Sequence, residues 1–284
     1  MGITPFLVSV ALVALALSAV MAVAWLIWRA TGNSGWVDTT WTFGLGGVGA
    51  LAAIVMATVS DGPAWRAWVV LGLILVWATR LGVHIAQRSA GITDDPRYAK
   101  LVEGWGADAK RQMFWLLQKQ ALVSIPLAMT IVLAAASPIS ELRLQDGLGV
   151  LVFLLAVAGA GLADTQLKRF RADPANSGQV CDIGLWRYSR HPNYFFEWLG
   201  WLAIALLAID VSGAYLWGWL ALVGPAFMYW LLVHVTGIPP LEAHMLARRG
   251  AVFRAYQART SAFFPAPPRA AEKAATHDAA RGEA

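Results

Sequence analysis

Long stretches without a charged residue are the feature that most constrains the fold of this chain. Uncharged runs cover residues 1–28, 39–60, 120–140, 147–163 and 211–241. Several of them reach the length of about 18 apolar residues that carries a helix across a bilayer. Only 14% of the residues are charged, against about 25% in a typical soluble domain. The sequence therefore excludes a soluble single domain and predicts an all-α integral membrane protein.

The apolar segments divide the chain into seven predicted transmembrane helices. These helices are expected at about 4–29, 36–59, 64–88, 112–136, 146–167, 192–210 and 213–236. A polar connection covers 166–191, and a tight joint at Asp210–Gly213 makes the last two helices a hairpin. Residues 240–265 are expected to form an amphipathic cytoplasmic segment. We predict one membrane domain over 1–265 and a disordered tail over 266–284.

The distribution of lysine and arginine predicts the orientation, because these residues concentrate on the cytoplasmic side of membrane proteins. Most of the 22 basic residues fall on one side if the C-terminus is cytoplasmic, whereas Arg66 and Arg143 fall on the other. The sequence thus predicts an N-terminus outside, a cytoplasmic C-terminus and a multi-pass protein of a bacterial inner membrane. The same bias accounts for the net charge of +5, so we expect no nucleic-acid partner.

Ionisable residues inside the predicted helices indicate a functional pocket, because a charge within the bilayer is energetically costly. With this orientation they all fall in the cytoplasmic half of the membrane. They are Asp38, Arg80, His84, Lys119, Asp164 and Glu197, with Glu242 and His244 just beyond the last helix. Spacings of three and four residues place several of them on single helix faces. These stripes are Trp77–Arg80–His84–Arg88, Asp164–Lys168–Arg171 and Asn193–Glu197–Trp201. Each stripe alone is equally compatible with helix packing, but their convergence favours a pocket open to the cytosol.

A basic segment after the fifth predicted helix is suited to a phosphorylated ligand, since the fork of arginine donors matches pairs of phosphate oxygens. Its cations are Lys168, Arg169, Arg171, Arg187 and Arg190. His191-Pro192 then opens a helix, whose N-terminus also attracts an anion. A loop that is basic only because it is cytoplasmic is the alternative. That alternative does not explain Asn193 and Glu197 one turn further into the membrane.

Two other patterns indicate neither a dinucleotide loop nor a metal. Gly44–Gly49 matches G-x-G-x-x-G, but it lies in an uncharged helix with no preceding strand. Small residues that pack one membrane helix against another explain it better. The five histidines form no H-E-x-x-H pattern and Cys181 is the single cysteine. We therefore predict no metal site.

Six short motifs are spread over about residues 30–265. They are Trp36–Trp41, Thr79–Gly82, Asp94–Tyr98, Arg190–Tyr194, Gly237–Glu242 and Tyr256–Pro265. This set resembles the steroid 5-alpha-reductase family and its relatives, the membrane sterol C14 reductases, and is similar to a bacterial branch of the family. The resemblance implies a seven-helix fold that binds NADPH in a cytosolic-side cavity. It also implies reduction of a carbon–carbon double bond conjugated to a ketone.

The resemblance further implies which residues bind NADPH. Family positions that hold the cofactor match Asp164, Arg171, Asn193, Tyr194 and Glu197. Additional contacts are expected by position from Arg187, Tyr188, His191, His244 and Tyr256. Arg97 and Tyr98 are expected to close over the adenosine end. The stripes described above add Arg80, His84 and Lys168 to the expected cofactor site.

The substrate side departs from the family pattern. Steroid reductases hold the substrate ketone with a glutamate on the second helix and a tyrosine on the third, whereas this chain has Asp38, Trp41 and Trp77 there. A donor must stabilise the ketone oxygen as enolate charge develops. Asp38, kept protonated by apolar surroundings, is the expected donor. We expect a monomer that lies among membrane lipids and admits a lipid, such as a 3-oxo-Δ4 steroid, sideways from the bilayer.

Two other classes of protein remain open. An isoprenylcysteine-type carboxyl methyltransferase, which uses S-adenosylmethionine, shares the R-H-P motif and a C-terminal Glu…Tyr segment but needs fewer phosphate-binding arginines. A transporter or a purely structural membrane protein is the third class, and the chain shows no inverted repeat or paired broken helices. Bound NADPH, detected by its absorbance and fluorescence, would distinguish the reductase from both.

The predicted orientation can be tested with reporter fusions. A reporter fused after residue 284 should be active only if it is of a kind that works in the cytoplasm. A reporter inserted near Pro63 should be active only if it is of a kind that works in the periplasm. The opposite pattern would remove the basis for a pocket on the cytosolic side.

Overall fold

The chain is described here by a computed structural model over residues 2–60 and 62–269. These residues are helical apart from turns and one isolated pairing of Ser189 with Ser261. Most of the predicted tail, 266–284, lies outside the described residues. The chain divides into two compact units. Unit 1 is Met1–Leu151 with Trp201–Pro225, and unit 2 is Val152–Gly200 with Ala226–Ala284.

Five helices lie wholly within unit 1. They are α1 (Ile3–Thr31), α2 (Gly35–Val59), α3 (Ala64–Ala90), α4 (Pro96–Trp105) and α5 (Ala109–Ala135). The four long ones agree with the first four predicted membrane helices. The short α4 differs from the prediction, which has no helix between residues 88 and 112. It forms because Asp95 caps its first turn and proline occupies a first-turn position that needs no N–H donor.

The rest of the chain forms α6 (Leu144–Ala172), α7 (Pro192–Ala208), α8 (Val223–Trp230) and α9 (Ile238–Arg259). α6 continues beyond its predicted end, so the polar connection begins at residue 173 and not at 166. The single helix predicted over 213–236 is wrong in detail. A 3-10 turn (Leu216–Leu222) precedes α8 and a π-helical turn (Leu231–Val235) follows it. α9 covers most of the predicted amphipathic segment and is kinked at Gly250, where φ is +43°.

Six helical segments in the described part of the chain are long and apolar enough to cross a membrane. They are α1, α2, α3, the segment Arg97–Ala135, α6 and the segment Leu216–Arg259. α7 has 17 residues, which is at the lower end of the length of a spanning helix. By length and composition the chain is a multi-pass membrane protein. The count of seven spans and the orientation of the termini stay predictions.

Small residues bring α2 close to its neighbours in unit 1. A side-chain carbon added at Gly46 would lie 2.3 Å from Cβ of Ala78 on α3. One added at Gly49 would lie 2.5 Å from Cδ1 of Ile131 on α5. Both distances are too short for two unshifted carbons, so the backbone of α2 lies close to α3 and α5 at these glycines. The packing interpretation of the Gly44–Gly49 motif is therefore confirmed.

The predicted tight joint at Asp210–Gly213 is confirmed. The Asp210 carboxylate accepts hydrogen bonds from the backbone N–H groups of Ser212 and Tyr215 over 3.1 Å and 2.9 Å. Gly213 has a φ of +87°, a conformation that glycine adopts without the penalty that a side chain would bring. Together these features turn the chain sharply after α7.

A buried ion-pair network connects the starts of α3 and α6 in unit 1. Arg66 and Asp146 are 1% and 2% exposed, and Nη2 of Arg66 donates to Oδ2 of Asp146 over 3.0 Å. Arg66 also donates to the carbonyl oxygens of Ile139, Glu141 and Leu207. The sequence predicts Arg66 on the outer side and carries no signal for its pairing with Asp146. Burial of either charge requires the other.

Arg143 and Gln145 extend the network to the end of α7. Nη2 of Arg143 lies 2.8 Å from Oδ1 of Asp146, and its Nη1 donates to the carbonyl oxygen of Ile209 over 2.8 Å. The side-chain amide of Gln145 donates to the carbonyl oxygen of Leu206 over 2.9 Å. The last carbonyls of a helix lack intrahelical donors and carry partial negative charge. The network therefore caps α7 with positive charge.

We expect Arg66→Ala to destabilise the protein by about 3 kcal/mol or more, because it leaves the buried Asp146 carboxylate with fewer partners. Thermal unfolding of the purified protein in one detergent measures this. Arg111→Ala is the matched control, since Arg111 and its partner Asp108 are 69% and 61% exposed and an exposed pair contributes about 0–1 kcal/mol. Equal unfolding temperatures for the two variants would contradict the stabilising role of the network.

Candidate functional site

A polar cluster joins the start of α2 to the start of α4 in unit 1. We call it the anchor cluster, and it consists of Ser34, Asp38, Asp94, Asp95 and Arg97. The Asp94 carboxylate accepts hydrogen bonds from the hydroxyl and, over 2.8 Å, from the backbone N–H of Ser34. Asp95 caps α4 by accepting from the backbone N–H of Arg97 over 2.9 Å. The Asp94–Tyr98 motif therefore fastens α4 to α2.

The guanidinium of Arg97 bridges two carboxylates of the anchor cluster. Its Nη2 lies 2.6 Å from Oδ2 of Asp38 and 2.9 Å from Oδ2 of Asp95. A second guanidinium, that of Arg88, lies 3.6 Å from Asp38. Asp38 is thus an ion-paired carboxylate. This corrects the expectation that the surroundings of Asp38 are apolar, while its role as the donor to a ketone stays a prediction.

Arg97 also holds the carboxyl group of Asp95 ionised. Burial alone would raise the pKa of Asp95, but the side-chain and backbone hydrogen bonds from Arg97 outweigh burial and lower it below its ordinary value of 3.8. The Arg97 side chain itself remains 62% exposed. Its expected place over the adenosine end of a cofactor stays a prediction, and the structure adds that it already binds two carboxylates.

A line of hydrogen bonds runs from Asp38 to one of the predicted substrate residues. The Tyr98 hydroxyl donates to Oδ1 of Asp38 over 3.4 Å and accepts from Nε2 of Gln120 over 2.9 Å. The Ser124 hydroxyl donates to the backbone carbonyl oxygen of Gln120 over 2.7 Å and accepts from Nε1 of Trp41 over 2.8 Å. The structure therefore places Asp38, Tyr98 and Trp41 in one network. Gln120 and Ser124, which link them, carried no signal in the sequence.

Three tryptophans of unit 1 are in contact, and we call them the tryptophan row: Trp41, Trp77 and Trp201. The ring centroids of Trp41 and Trp77 are 6.2 Å apart, and those of Trp77 and Trp201 are 5.0 Å apart. Both pairs are edge-to-face, a favourable geometry for aromatic rings. Arg80 and His84 follow Trp77 along α3 and are half-buried. The predicted catalytic residues Asp38, Trp41 and Trp77 are thus linked, and Trp201 joins them.

In unit 2, the end of α6 and the start of α7 bring predicted cofactor residues together. The side-chain amide of Asn193 donates to Oδ1 of Asp164 over 3.3 Å. Tyr194 and Glu197 are half-buried in the first turns of α7. Two of the three polar stripes predicted from the sequence, those that begin at Asp164 and Asn193, are therefore neighbours.

Exposed cations and one exposed tyrosine surround the polar connection of unit 2. They are Lys168, Arg169, Arg171, Arg187 and Tyr188. The neighbouring Cys181 is buried against Phe170 and Trp186, and burial raises the pKa of the Cys181 thiol. Cys181 is thus a packed thiol, whereas the cations are exposed to solvent.

Glu242 on α9 binds three side chains of unit 2. Nε of Arg190 donates to Oε1 of Glu242 over 2.7 Å, and Nε2 of His191 lies 3.0 Å from the same oxygen. The Gln257 amide donates to Oε2 over 2.7 Å. The His191 ring also stacks on Tyr194, with centroids 5.5 Å apart. Arg190, which the sequence placed with the phosphate-binding cations, is therefore bound to Glu242, and His191 holds the start of α7 to α9.

Two further predicted cofactor contacts lie at the end of the chain. Tyr256 is 2% exposed and its hydroxyl donates to the carbonyl oxygen of Trp186. This hydrogen bond supports the segment before α7, and a role of Tyr256 as a cofactor contact stays a prediction. His244 is exposed on α9, and its role stays a prediction.

The donor set of unit 2 fits a phosphorylated nucleotide better than a metal ion. Among residues 2–60 and 62–269, no group of three or more His, Cys, Asp or Glu side chains is placed to hold a metal. The exposed cations supply donors for phosphate, because arginine binds phosphate oxygens in pairs. The half-buried Glu197 and the Asp164–Asn193 pair supply acceptors and an amide for hydroxyl and carboxamide groups.

The chain matches one known protein family over most of its length. A family model described as "Protein of unknown function (DUF1295)" matches residues 24–260. The chain belongs to this family. It is a family of steroid 5-alpha-reductase-like proteins, while the bacterial branch inferred from the motifs stays a prediction. Searches of the curated proteins and of the solved structures found no match.

We expect Asp95→Ala to loosen α4, because loss of an N-cap destabilises a helix by about 1 kcal/mol. Backbone hydrogen exchange in Pro96–Trp105 should become about fivefold faster. The pKa of Asp95 is lowered in the folded protein. The contribution of the Asp95 carboxylate to folding stability is therefore complete above pH 3.8, and it is lost as the pH falls through the pKa of the folded state.

The matched control is Asp108→Ala. Asp108 precedes α5, is exposed and makes no side-chain cap. Exchange in α4 that is equally fast in the wild type and in Asp95→Ala would contradict the anchoring role of Asp95.

Proposed function

We propose that this protein is an NADPH-dependent reductase that saturates a carbon–carbon double bond conjugated to a ketone in a membrane lipid. A 3-oxo-Δ4 steroid is the substrate class that we favour. The observation that carries the proposal is the Asn193–Asp164 contact of 3.3 Å at the end of α6, beside the exposed Lys168 and Arg171. Membership of a family of steroid 5-alpha-reductase-like proteins supports it. We further propose a monomer in a bacterial inner membrane.

The cofactor residues have separate tasks in this proposal. Arg171 and Lys168 bind phosphate, because charge-assisted donors are the strongest ordinary ligands for it. Asn193 and Glu197, which lie one turn apart on α7, orient the nicotinamide carboxamide and ribose by hydrogen bonds. The ion pair of Arg190 with Glu242 keeps the start of α7 in place, and so acts on the cofactor only through the helix.

NADPH, when bound, supplies a hydride to the carbon beta to the ketone, while a proton from water adds to the alpha carbon and the nicotinamide is oxidised. The rest of the catalysis falls to the protein. It must hold the substrate and place a donor at the ketone oxygen as negative charge develops there. Trp41 and Trp77, whose rings lie edge-to-face, provide apolar aromatic contacts for the body of the lipid. Asp38, as an ion-paired carboxylate, anchors α4 in place of the donor role expected from the sequence.

The proposal is tested with purified protein in lipid nanodiscs. NADPH fluorescence should change on binding, and NADPH absorbance should fall when cholest-4-en-3-one is added. Mass spectrometry should find a steroid product heavier by two hydrogens. Binding of S-adenosylmethionine with no NADPH consumption would contradict the proposal and favour the methyltransferase.

We expect Arg171→Ala to weaken NADPH binding by roughly ten- to a hundredfold, because a hydrogen bond to a charged group is worth about 1.5–3 kcal/mol. Titration with NADPH and NADH locates the contact. A loss for NADPH alone places Arg171 on the 2′-phosphate, and equal losses place it on the shared pyrophosphate. Arg254→Ala is the matched control, since Arg254 is an exposed arginine of unit 2 on α9. Unchanged affinity for both nucleotides in Arg171→Ala would remove Arg171 from the site.

A further inference from the structure

The indole N–H of Trp201 is a buried hydrogen-bond donor that lacks an acceptor. Trp201 is 1% exposed, and its Nε1 has no hydrogen-bond partner among the described residues. An indole N–H only donates, and a buried polar group without a partner destabilises the folded state. Such groups are rare in folded proteins, and a role in catalysis or in binding a ligand is one reason for keeping them.

The position of this donor within unit 1 points to a ligand. Two other buried side-chain atoms lack a partner in the described chain, in Arg66 and Ser137. The Arg66 atom belongs to a guanidinium that already binds Asp146. Only the donor of Trp201 belongs to the tryptophan row, which contains the two aromatic residues that the sequence predicted on the substrate side.

We propose that Nε1–H of Trp201 donates a hydrogen bond to the carbonyl oxygen of a lipid ketone. The inference rests on the proposed reductase function and names the ketone-holding group that Asp38 does not supply. Trp201 is then a catalytic residue, since its donor touches the oxygen on which negative charge develops during reduction. The indole keeps its proton throughout, so the proton that adds to the alpha carbon still comes from water.

The surroundings of Trp201 favour a neutral acceptor on an apolar body. Trp77 lies edge-to-face with it at 5.0 Å, and Ile204 and Ala205, one turn further along the same face of α7, are buried. A phosphate or carboxylate in such a place would lose its hydration to a single neutral donor, which is strongly unfavourable. A ketone loses far less, because one hydrogen bond satisfies most of its need. The site therefore suits a ketone lipid better than an acid.

The competing explanation is a contact of the N–H with the face of Trp77. An edge-to-face pair at 74° allows an N–H···π interaction, which is weaker than an ordinary hydrogen bond. The two explanations differ in what a ketone does. A ketone moves the Trp201 N–H to a new acceptor, whereas an N–H that is satisfied by Trp77 does not respond.

The experiment uses the full protein labelled with ¹⁵N-tryptophan in nanodiscs and follows the indole N–H resonances. Trp201→Phe assigns the Trp201 signal by its disappearance. Cholest-4-en-3-one and cholest-4-ene are the probes, because they differ only in the ketone oxygen. We expect the Trp201 proton to move downfield with the ketone and to stay in place with the hydrocarbon. The Trp28 signal is the internal control, since Trp28 is a buried tryptophan of α1 outside the row.

Kinetics then measure the catalytic role. Trp201→Phe keeps an aromatic ring but removes the donor, and we expect its kcat to fall by roughly 100-fold or more, as for loss of an oxyanion donor. Trp201→Tyr restores an O–H donor and should recover part of the loss. Thermal unfolding shows that the variants are folded, and Trp28→Phe should leave kcat unchanged.

The outcomes distinguish this inference from the proposed function. An unmoved Trp201 signal with cholest-4-en-3-one bound, or an unchanged kcat in Trp201→Phe, overturns the donor role while NADPH-dependent reduction by the wild type still stands. A ketone-specific shift without NADPH consumption supports the donor role and overturns the reductase. Failure of the wild type to bind either probe overturns the donor role.

Discussion

A charged side chain within a bilayer must be paired, and the pairing of arginines with carboxylates determines much of this structure. Arg66 is buried with Asp146 and caps α7 through the same network. Arg97 bridges Asp38 and Asp95 and so fixes α4. Because removing one member of a buried pair leaves an uncompensated charge, the Arg66–Asp146 pair constrains the starts of α3 and α6. The positions of the candidate site residues depend on these ion pairs.

Patterns of residues close together in the sequence predicted the membrane helices and one close contact between helices. The uncharged runs predicted α1, α2, α5 and α6, and the Gly44–Gly49 motif predicted close packing. Pairings between distant residues were not predictable in this way. Arg66 and Asp146 are 80 residues apart, and Arg190 and Glu242 are 52 apart, so no helical spacing connects them. The ion pair of Asp38 with Arg97, which lies 59 residues further along the chain, was missed for the same reason.

The two units carry different chemistry. Unit 2 presents exposed cations beside half-buried acceptors, a combination that suits a phosphorylated nucleotide. Unit 1 presents the tryptophan row, whose member Trp201 has a buried and unpaired donor among the described residues. Side chains at helical spacing indicated both the polar residues of unit 2 and members of the tryptophan row from the sequence. They did not indicate which polar group lacks a partner, because that depends on how each stripe is packed.

The central claim is that the protein transfers hydride from NADPH to an enone lipid, and isotope transfer tests it most directly. NADPH deuterated at C4 of the nicotinamide is incubated with the purified protein and cholest-4-en-3-one, and the product is analysed by mass spectrometry and NMR. The account predicts a saturated ketone with one deuterium at the carbon beta to the carbonyl and a solvent hydrogen at the alpha carbon. Recovery of unreduced steroid with the NADPH intact, or deuterium at any other carbon, would contradict it.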